Sequence, residues 1–247
     1  MKDLDNFDTR KKIGSLVKTS FVDYPEHVAA ALFLHGCNLR CPYCYNKELV
    51  TGKTEDYPAV SLEEVFEHLQ KRKAVLSGFV ISGGEPCIFP ALGGLIEKVH
   101  SLGYLVKLDT NGTRPEVLEK LFATASTKPD FVAMDLKTIP ENYEKFLPAK
   151  EANNLIGEKI QKSVEIISRL PAKNREFRTV LVPGLTDKNS IEKMAAILPK
   201  DAGWRFASFA NGGCLDPAFD NLQSFSAAET AKLVEYAKSF VEDSALR

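Results

Sequence analysis

Six short apolar runs, each followed by a longer stretch with helical period, constrain this chain more than any other feature. The runs are 28–37, 78–84, 104–110, 131–137, 176–182 and 204–209. Ser61 and Glu64 make a capping box ahead of Leu62, Val65, Phe66 and Leu69 on one helical face. Pro90 opens a second stripe, Leu92, Leu95, Ile96 and Val99. Thr113 and Glu116 make another box, before Val117, Leu118, Leu121 and Phe122. Stretches 159–170 and 191–198, the latter behind Asn189, supply two more helices. Ser226 and Glu229 cap the last, which carries Leu233, Val234 and Ala237. Strict alternation implies a parallel sheet with helices outside. The runs AAALFL and GFVIS are apolar throughout, as strands covered on both faces are.

Polar residues of unusual kind stand at the C-terminal ends of the first four strands. In a barrel such ends converge on one mouth, whereas an open sheet spreads them apart. The expected fold is therefore α/β, a partial TIM-like (β/α)6 barrel with parallel strands and outer helices. A chain of 247 residues fits this as one unit. Residues 1–27 are expected as an N-terminal lead-in segment packed on the barrel, and 28–247 as a single domain. At 44% hydrophobic and 26% charged residues, the chain is neither disordered nor collagenous. Thirty-two basic residues against 33 acidic leave no field of one sign to hold nucleic acid or an anionic membrane. No apolar run reaches the ~18 residues of a bilayer span. The N-terminus mixes both charges and lacks an apolar signal core, so a cytoplasmic location, with reduced thiols, is expected.

Three of the five cysteines, Cys37, Cys41 and Cys44, crowd into eight residues with spacing C-x3-C-x2-C. Such clustering suits a metal site better than a disulfide framework. About 23 residues separate the end of the first strand from Ser61, a length that usually means function. Three thiolates on one short loop can hold three irons of a [4Fe–4S] cubane and leave the fourth open to a ligand. The rival is a zinc knot, whose fourth ligand would have to be His35, Cys87 or Cys214.

Further groups follow in order. Strand two ends in Ser82-Gly83-Gly84-Glu85-Pro86. Its glycines let backbone approach a ligand, and Glu85 can accept from an ammonium. Strand three ends Leu108-Asp109-Thr110-Asn111-Gly112, with Asp109 and Asn111 on one side by the two-residue period. Strand four ends Met134-Asp135-Leu136-Lys137, with Asp135 and Lys137 again sharing a side. Carboxylates there need a cation, which a sulfonium, a metal ion or Lys137 would each supply.

These motifs, taken together, resemble the radical S-adenosylmethionine (radical SAM) superfamily along nearly the whole chain. LDTNG, MDLK, the later Val182-Pro183-Gly184 and the upstream Phe21-Val22-Asp23-Tyr24-Pro25 are similar to glycyl-radical-enzyme activating enzymes. The closest resemblance is to the compact branch that activates anaerobic ribonucleoside-triphosphate reductase. The resemblance implies that Cys37, Cys41 and Cys44 bind a [4Fe–4S] cluster with one open iron. It implies that Gly83, Gly84 and Glu85 hold the amino group of SAM, that Asp109 contacts its ribose, with Asn111 beside it, and that Asp135 and Lys137 lie near its carboxylate. Tyr43 and Tyr45 would lie against the adenine, and a monovalent cation would sit by the aspartates. Also implied are a 5′-deoxyadenosyl radical, a glycyl radical enzyme as protein substrate and a flavodoxin or ferredoxin as electron donor. No general acid or base is expected, because the cofactor carries the chemistry.

Two departures stand out. Tyr45 occupies the place after the third cysteine where the family usually has His, and Glu26 stands where the FVDYP motif usually closes with Gly. A radical SAM reaction on a small molecule, of the deazaguanine synthase type, is the first rival, and a non-catalytic zinc or iron–sulfur interaction protein the second. Cys87 reads as a small buried hydrophobe, His35 as a packing residue and Trp204 as core. Cys214, in a Gly-rich loop after the sixth strand, stays open. Arg178 points either inward or outward against a helix.

Overall fold

Each apolar run becomes a strand in the computed structural model, which describes residues 4–51, 58–148 and 155–247. In chain order the elements are β1 (Lys12–Ser20), β2 (Ala29–Leu34), α1 (Lys47–Thr51), β3 (Val60–Ser61), α2 (Leu62–Lys71), β4 (Gly78–Gly83), α3 (Leu92–Ser101), β5 (Leu105–Thr110), α4 (Pro115–Phe122), β6 (Phe131–Asp135), α5 (Ile156–Ile167), β7 (Arg175–Leu181), α6 (Lys188–Ala195), β8 (Trp204–Ser208), α7 (Ala227–Lys238) and β9 (Ser244–Leu246). The chain divides into two compact units. One comprises Met1–Asn38, Glu48–Thr110 and Glu116–Val132; the other comprises Leu39–Lys47, Asn111–Pro115 and Ala133–Arg247.

In the first unit the strand order is β3-β1-β2-β4-β5. β2 runs parallel to β4 from Ala29↔Gly78 to Leu34↔Gly83, and β4 parallel to β5 from Gly78↔Leu105 to Ile81↔Leu108. The middle strand is apolar on both faces, with Phe79, Val80 and Ile81 buried, as a covered parallel strand must be. α2 lays Leu62, Val65 and Leu69 against this layer, and its Ser61–Glu64 capping box forms as expected. α3 buries Leu92, Leu95, Ile96 and Val99.

β1 pairs antiparallel with β2 and is not among the six runs. Lys12, Gly14 and Lys18 dilute its alternation, and Val17 is exposed on it. Its outer neighbour β3 has only two residues, so the strand sits close to a solvated edge where the apolar signal is weak. The short β3, β9 and α1 escaped the periodicity for lack of length; stretch 52–57 of the long loop lies outside the described residues.

In the second unit β7 is parallel to β8 and β8 to β9. Two bonds tie the end of β6 to β7: Leu136 N–H to the Arg178 carbonyl at 2.8 Å, and Thr179 Oγ1 to the Leu136 carbonyl at 3.1 Å. Trp204 is core, as expected. Its ring lies 4.5 Å from that of Phe206, and its Nε1–H donates to Thr179 Oγ1 at 3.0 Å, which satisfies the one polar atom it buries. α6 begins earlier than the sequence suggested, because Asp187 with Ser190, not Asn189, makes its capping box. The sheet in each unit is thus mostly parallel with helices between strands, an α/β fold. Among the described residues no helix is long and apolar enough to cross a membrane.

Glu26 has φ 64°, the only positive value at a non-glycine among the described residues. This accounts for the glycine usual at that place: the left-handed region costs an L-residue about 1–2 kcal/mol. Glu26→Gly should therefore raise stability by about 0.5–1 kcal/mol, less than that cost because glycine also loses more chain entropy on folding. Equilibrium denaturation measures it, and a loss of stability would refute the strain.

Candidate functional site

In the first unit the end of β2 and the turn after β4 are laced together through their backbones. Gly84 N–H donates to the Leu34 carbonyl at 2.8 Å and Glu85 N–H to the Gly36 carbonyl at 2.9 Å. A Cβ on Gly84 would lie 1.9 Å from the Gly36 oxygen, and one on Gly83 2.2 Å from the Leu34 nitrogen. Gly83 also has φ 119°. The close approach these glycines permit is thus to the backbone leading into Cys37.

Glu85 is buried. Its Oε1 accepts from Cys87 N–H at 2.9 Å and from Thr110 Oγ1 at 2.8 Å. This fixes the carboxylate at the start of the short 3₁₀ turn Pro86–Ile88. Burial, and after it the Glu85 charge, pushes the Cys87 thiol well above its ordinary value, so Cys87 stays protonated and unreactive.

Asp109 sits at the end of β5 with a lysine beneath it. Lys107, almost wholly buried, is ion-paired to Oδ1, and Ser82 Oγ donates to Oδ2 at 2.9 Å. His35 is held neutral by burial, and its Nε2 is buried without a hydrogen-bond partner among the described residues.

In the second unit Cys41 and Cys44 close a tight turn, Cys44 N–H donating to the Cys41 carbonyl at 3.1 Å. The turn is held from three sides. Arg40 N–H reaches the Phe146 carbonyl at 2.6 Å, while Leu215 N–H and Asp216 N–H reach the carbonyls of Cys44 and Pro42 at 3.0 and 2.9 Å. Tyr43 is buried with its hydroxyl on the Lys137 carbonyl at 3.1 Å and its ring edge-on to Phe146. Tyr45 is partly exposed, stacks on Phe209 and accepts from Ala210 N–H at 2.5 Å. Cys214 is buried. Its thiol is pushed up by burial first and then by Asp220, whose Oδ1 accepts from Cys214 N–H at 2.7 Å.

Asp135 lies between two cations. Lys137 Nζ is 2.9 Å from Oδ2 and Arg178 Nε 2.7 Å from Oδ1. Burial alone would raise this carboxyl's pKa, but Arg178 and Lys137 hold it well below the usual carboxylate range. Burial likewise works against the charge on Lys137, but Asp135, and after it Cys41, keep this amine charged above its ordinary value. Arg178 therefore faces Asp135 from the neighbouring strand. Asn111 is buried and accepts from Thr113 N–H at 3.0 Å and Thr113 Oγ1 at 2.6 Å, the bonds of an Asx turn. Gly112 has φ 73°, and a Cβ there would meet Met134 Cε at 2.1 Å.

The donor set suits a cubane in kind: none of Cys37, Cys41 and Cys44 is in a disulfide. Among the described residues no three His, Cys, Asp or Glu side chains are gathered for a single metal ion.

Sequence reasoning missed Lys107 and Thr110 as partners of the site carboxylates. Lys107 was within reach of the two-residue period that paired Lys137 with Asp135. Thr110 points to the other face of β5, where pairing with Glu85 left no local signal.

Residues 32–198 match the radical SAM superfamily. The chain is 31% identical over 239 residues, 95% of each chain, to a Methanocaldococcus jannaschii protein that carries the name of a glycyl-radical enzyme activating enzyme. It is 28% identical over 193 residues to the pyruvate formate-lyase-activating enzyme of Clostridium pasteurianum, covering 76% of each. Identity to the 7-carboxy-7-deazaguanine synthase of Aquifex aeolicus is 32% over 168 residues, 66% of this chain and 72% of that one. The fold is shared with QueE from Escherichia coli (TM-score 0.54, 13% identity, 95% of this chain and 92% of that one). It is also shared with SuiB from Streptococcus suis (TM-score 0.57, 13% identity), of which the match spans 46% against 86% of this chain. This protein belongs to the radical SAM superfamily and is an enzyme of the radical SAM type.

Proposed function

We propose that this enzyme is an activase that installs a glycyl radical on a partner enzyme, anaerobic ribonucleotide reductase being the candidate. The observation that carries the reading is the match along 95% of both chains to the M. jannaschii protein of that name. The motifs LDTNG and MDLK support it. A second reading, a radical SAM reaction on a small molecule, draws on the deazaguanine synthase relative, which matches a shorter stretch.

In this proposal Cys37, Cys41 and Cys44 hold a [4Fe–4S] cluster. Glu85, on the turn shaped by Gly83 and Gly84, takes the SAM amino group, and Asp109 takes the ribose. Lys137 and Arg178, which both pair with Asp135, put two cations beside the place proposed for the SAM carboxylate. Tyr45 offers its exposed ring to the adenine, while Tyr43 supports the loop from within and Asn111 shapes the turn. A bound cluster and SAM would supply one-electron reductive cleavage of the SAM carbon–sulfur bond to methionine and, through the adenosyl fragment, removal of a hydrogen atom from a glycine of the partner, with 5′-deoxyadenosine as the other product. The chain's own residues orient SAM and neutralise its charges; none is asked to move a proton. A flavodoxin or ferredoxin in a reducing cytoplasm is proposed as the electron source.

The test is anaerobic. The reconstituted protein is mixed with SAM, reductant and candidate glycyl radical enzymes from the same cell, and the glycyl radical is sought by electron paramagnetic resonance. Formation of 5′-deoxyadenosine with no radical on any candidate favours the small-molecule reading; zinc in place of iron, or no SAM cleavage, refutes both.

Cys37→Ala, Cys41→Ala and Cys44→Ala should each abolish the cluster's visible absorbance and 5′-deoxyadenosine formation; any one retaining both disproves the ligand set. Arg178→Met should keep the cluster but weaken SAM binding. The loss of a charge-assisted hydrogen bond, roughly 1.5–3 kcal/mol, predicts roughly a tenfold to hundredfold drop. Equilibrium binding of SAM by the loaded protein reads this, and an unchanged affinity would remove Arg178 from the site.

A further inference from the structure

We propose that Lys107 is the resident counter-cation of Asp109, a positioning residue that fills with a tethered ammonium the place a dissociable cation would otherwise take. Lys107 is among the largest fully buried side chains of the chain. Lysine is almost never fully buried unless paired, and here the pairing is to Asp109 Oδ1. Lys107 and Asp109 stand two residues apart on β5, on one face of the strand. The four-carbon stem therefore spans the gap without a turn in the backbone. Nζ lies 6.0 Å from the centroid of the Phe131 ring, whose face adds attraction for the ammonium. Ser82 Oγ takes the other carboxylate oxygen, so Asp109 is aimed from both sides.

A carboxylate removed from water needs positive charge close by. A metal ion can meet that need, but its occupancy follows the salt outside, while a lysine on the same strand is present in every folded molecule. Lys107 thereby holds Asp109 stationary.

The experiment uses the cluster-free full chain, so that failure of the SAM reading leaves its result intact. Thermal melts compare wild type, Lys107→Met, Lys107→Arg and the double variant Lys107→Met/Asp109→Asn. Each is run in sodium, potassium or tetramethylammonium chloride at matched ionic strength. Lys107→Met should melt well below wild type, Lys107→Arg close to it. The double variant should recover most of the loss, since removing the carboxylate removes the need for the cation. Wild type should melt alike in all three salts, whereas Lys107→Met should gain in sodium or potassium over tetramethylammonium, a response that lost packing alone would not produce. If Lys107→Met does not fold at all, folding of the double variant supports the proposal, and failure of both overturns it. A double variant no better than Lys107→Met, equal melting of Lys107→Met and wild type, a Lys107→Met melt indifferent to the cation, or a wild-type melt that rises with sodium or potassium, each overturns it as well.

Discussion

A carboxylate withdrawn from water must find a cation, and each of the two strand-end aspartates finds a lysine two residues away. Lys107 precedes Asp109 on β5, and Lys137 follows Asp135 at the end of β6. Two residues of extended chain span roughly 6.5 Å and return to the same face, within reach of a lysine stem. The more buried pair, Lys107 with Asp109, is costly to break by halves, about 3–5 kcal/mol when one buried partner is removed. Both carboxylates are therefore held in direction by their lysines. The two places differ in make-up: Asp109 pairs with a lysine of its own strand, while Asp135 meets both Lys137 and Arg178.

The glycines of the turn after β4 show how one sequence feature answers two demands. Read alone, Gly83 and Gly84 promise backbone free to approach a ligand. What they approach is Gly36 and Leu34, at distances that admit no Cβ. The backbone bonds that result hold Glu85 against the loop that begins the cysteine motif. Any side chain at position 84 would have to displace that loop, so the glycine is required by packing whether or not a ligand also touches it.

The six β–α units were legible because their strands are covered on both faces and their helices carry strong caps, as at Ser61 and Ser226. β1 was not, since a strand next to the sheet edge carrying lysines and a glycine lacks the continuous apolar signature. Within the site, Lys137 was legible from its spacing to Asp135, and Lys107 obeys the same spacing on the other side of its aspartate. Arg178 and Thr110 were not assignable, because their partners come from other strands and turns, and the one-dimensional pattern carries no register between strands. Asp187 displaced Asn189 as the cap of α6 for a similar reason: two good capping residues lay two apart, and the capping box with Ser190 decided between them.

Tyr45 shows how a departure from a family pattern acquires a physical role. An imidazole after the third cysteine would offer a compact ring with a donor; a phenol is longer and carries its polar atom at the tip. Here that tip accepts from Ala210 N–H while the ring stacks on Phe209. The same loop then returns at Leu215 and Asp216 to donate to the carbonyls of Cys44 and Pro42. Gly212 and Gly213, both at positive φ, let the chain reverse between these two attachments. The Cys41–Cys44 turn thus has its outward carbonyls satisfied by a segment some 170 residues further along the chain. Two carbonyls that would otherwise need water, those of Pro42 and Cys44, are thereby fixed in direction, and with them the backbone of the turn that carries Cys41 and Cys44.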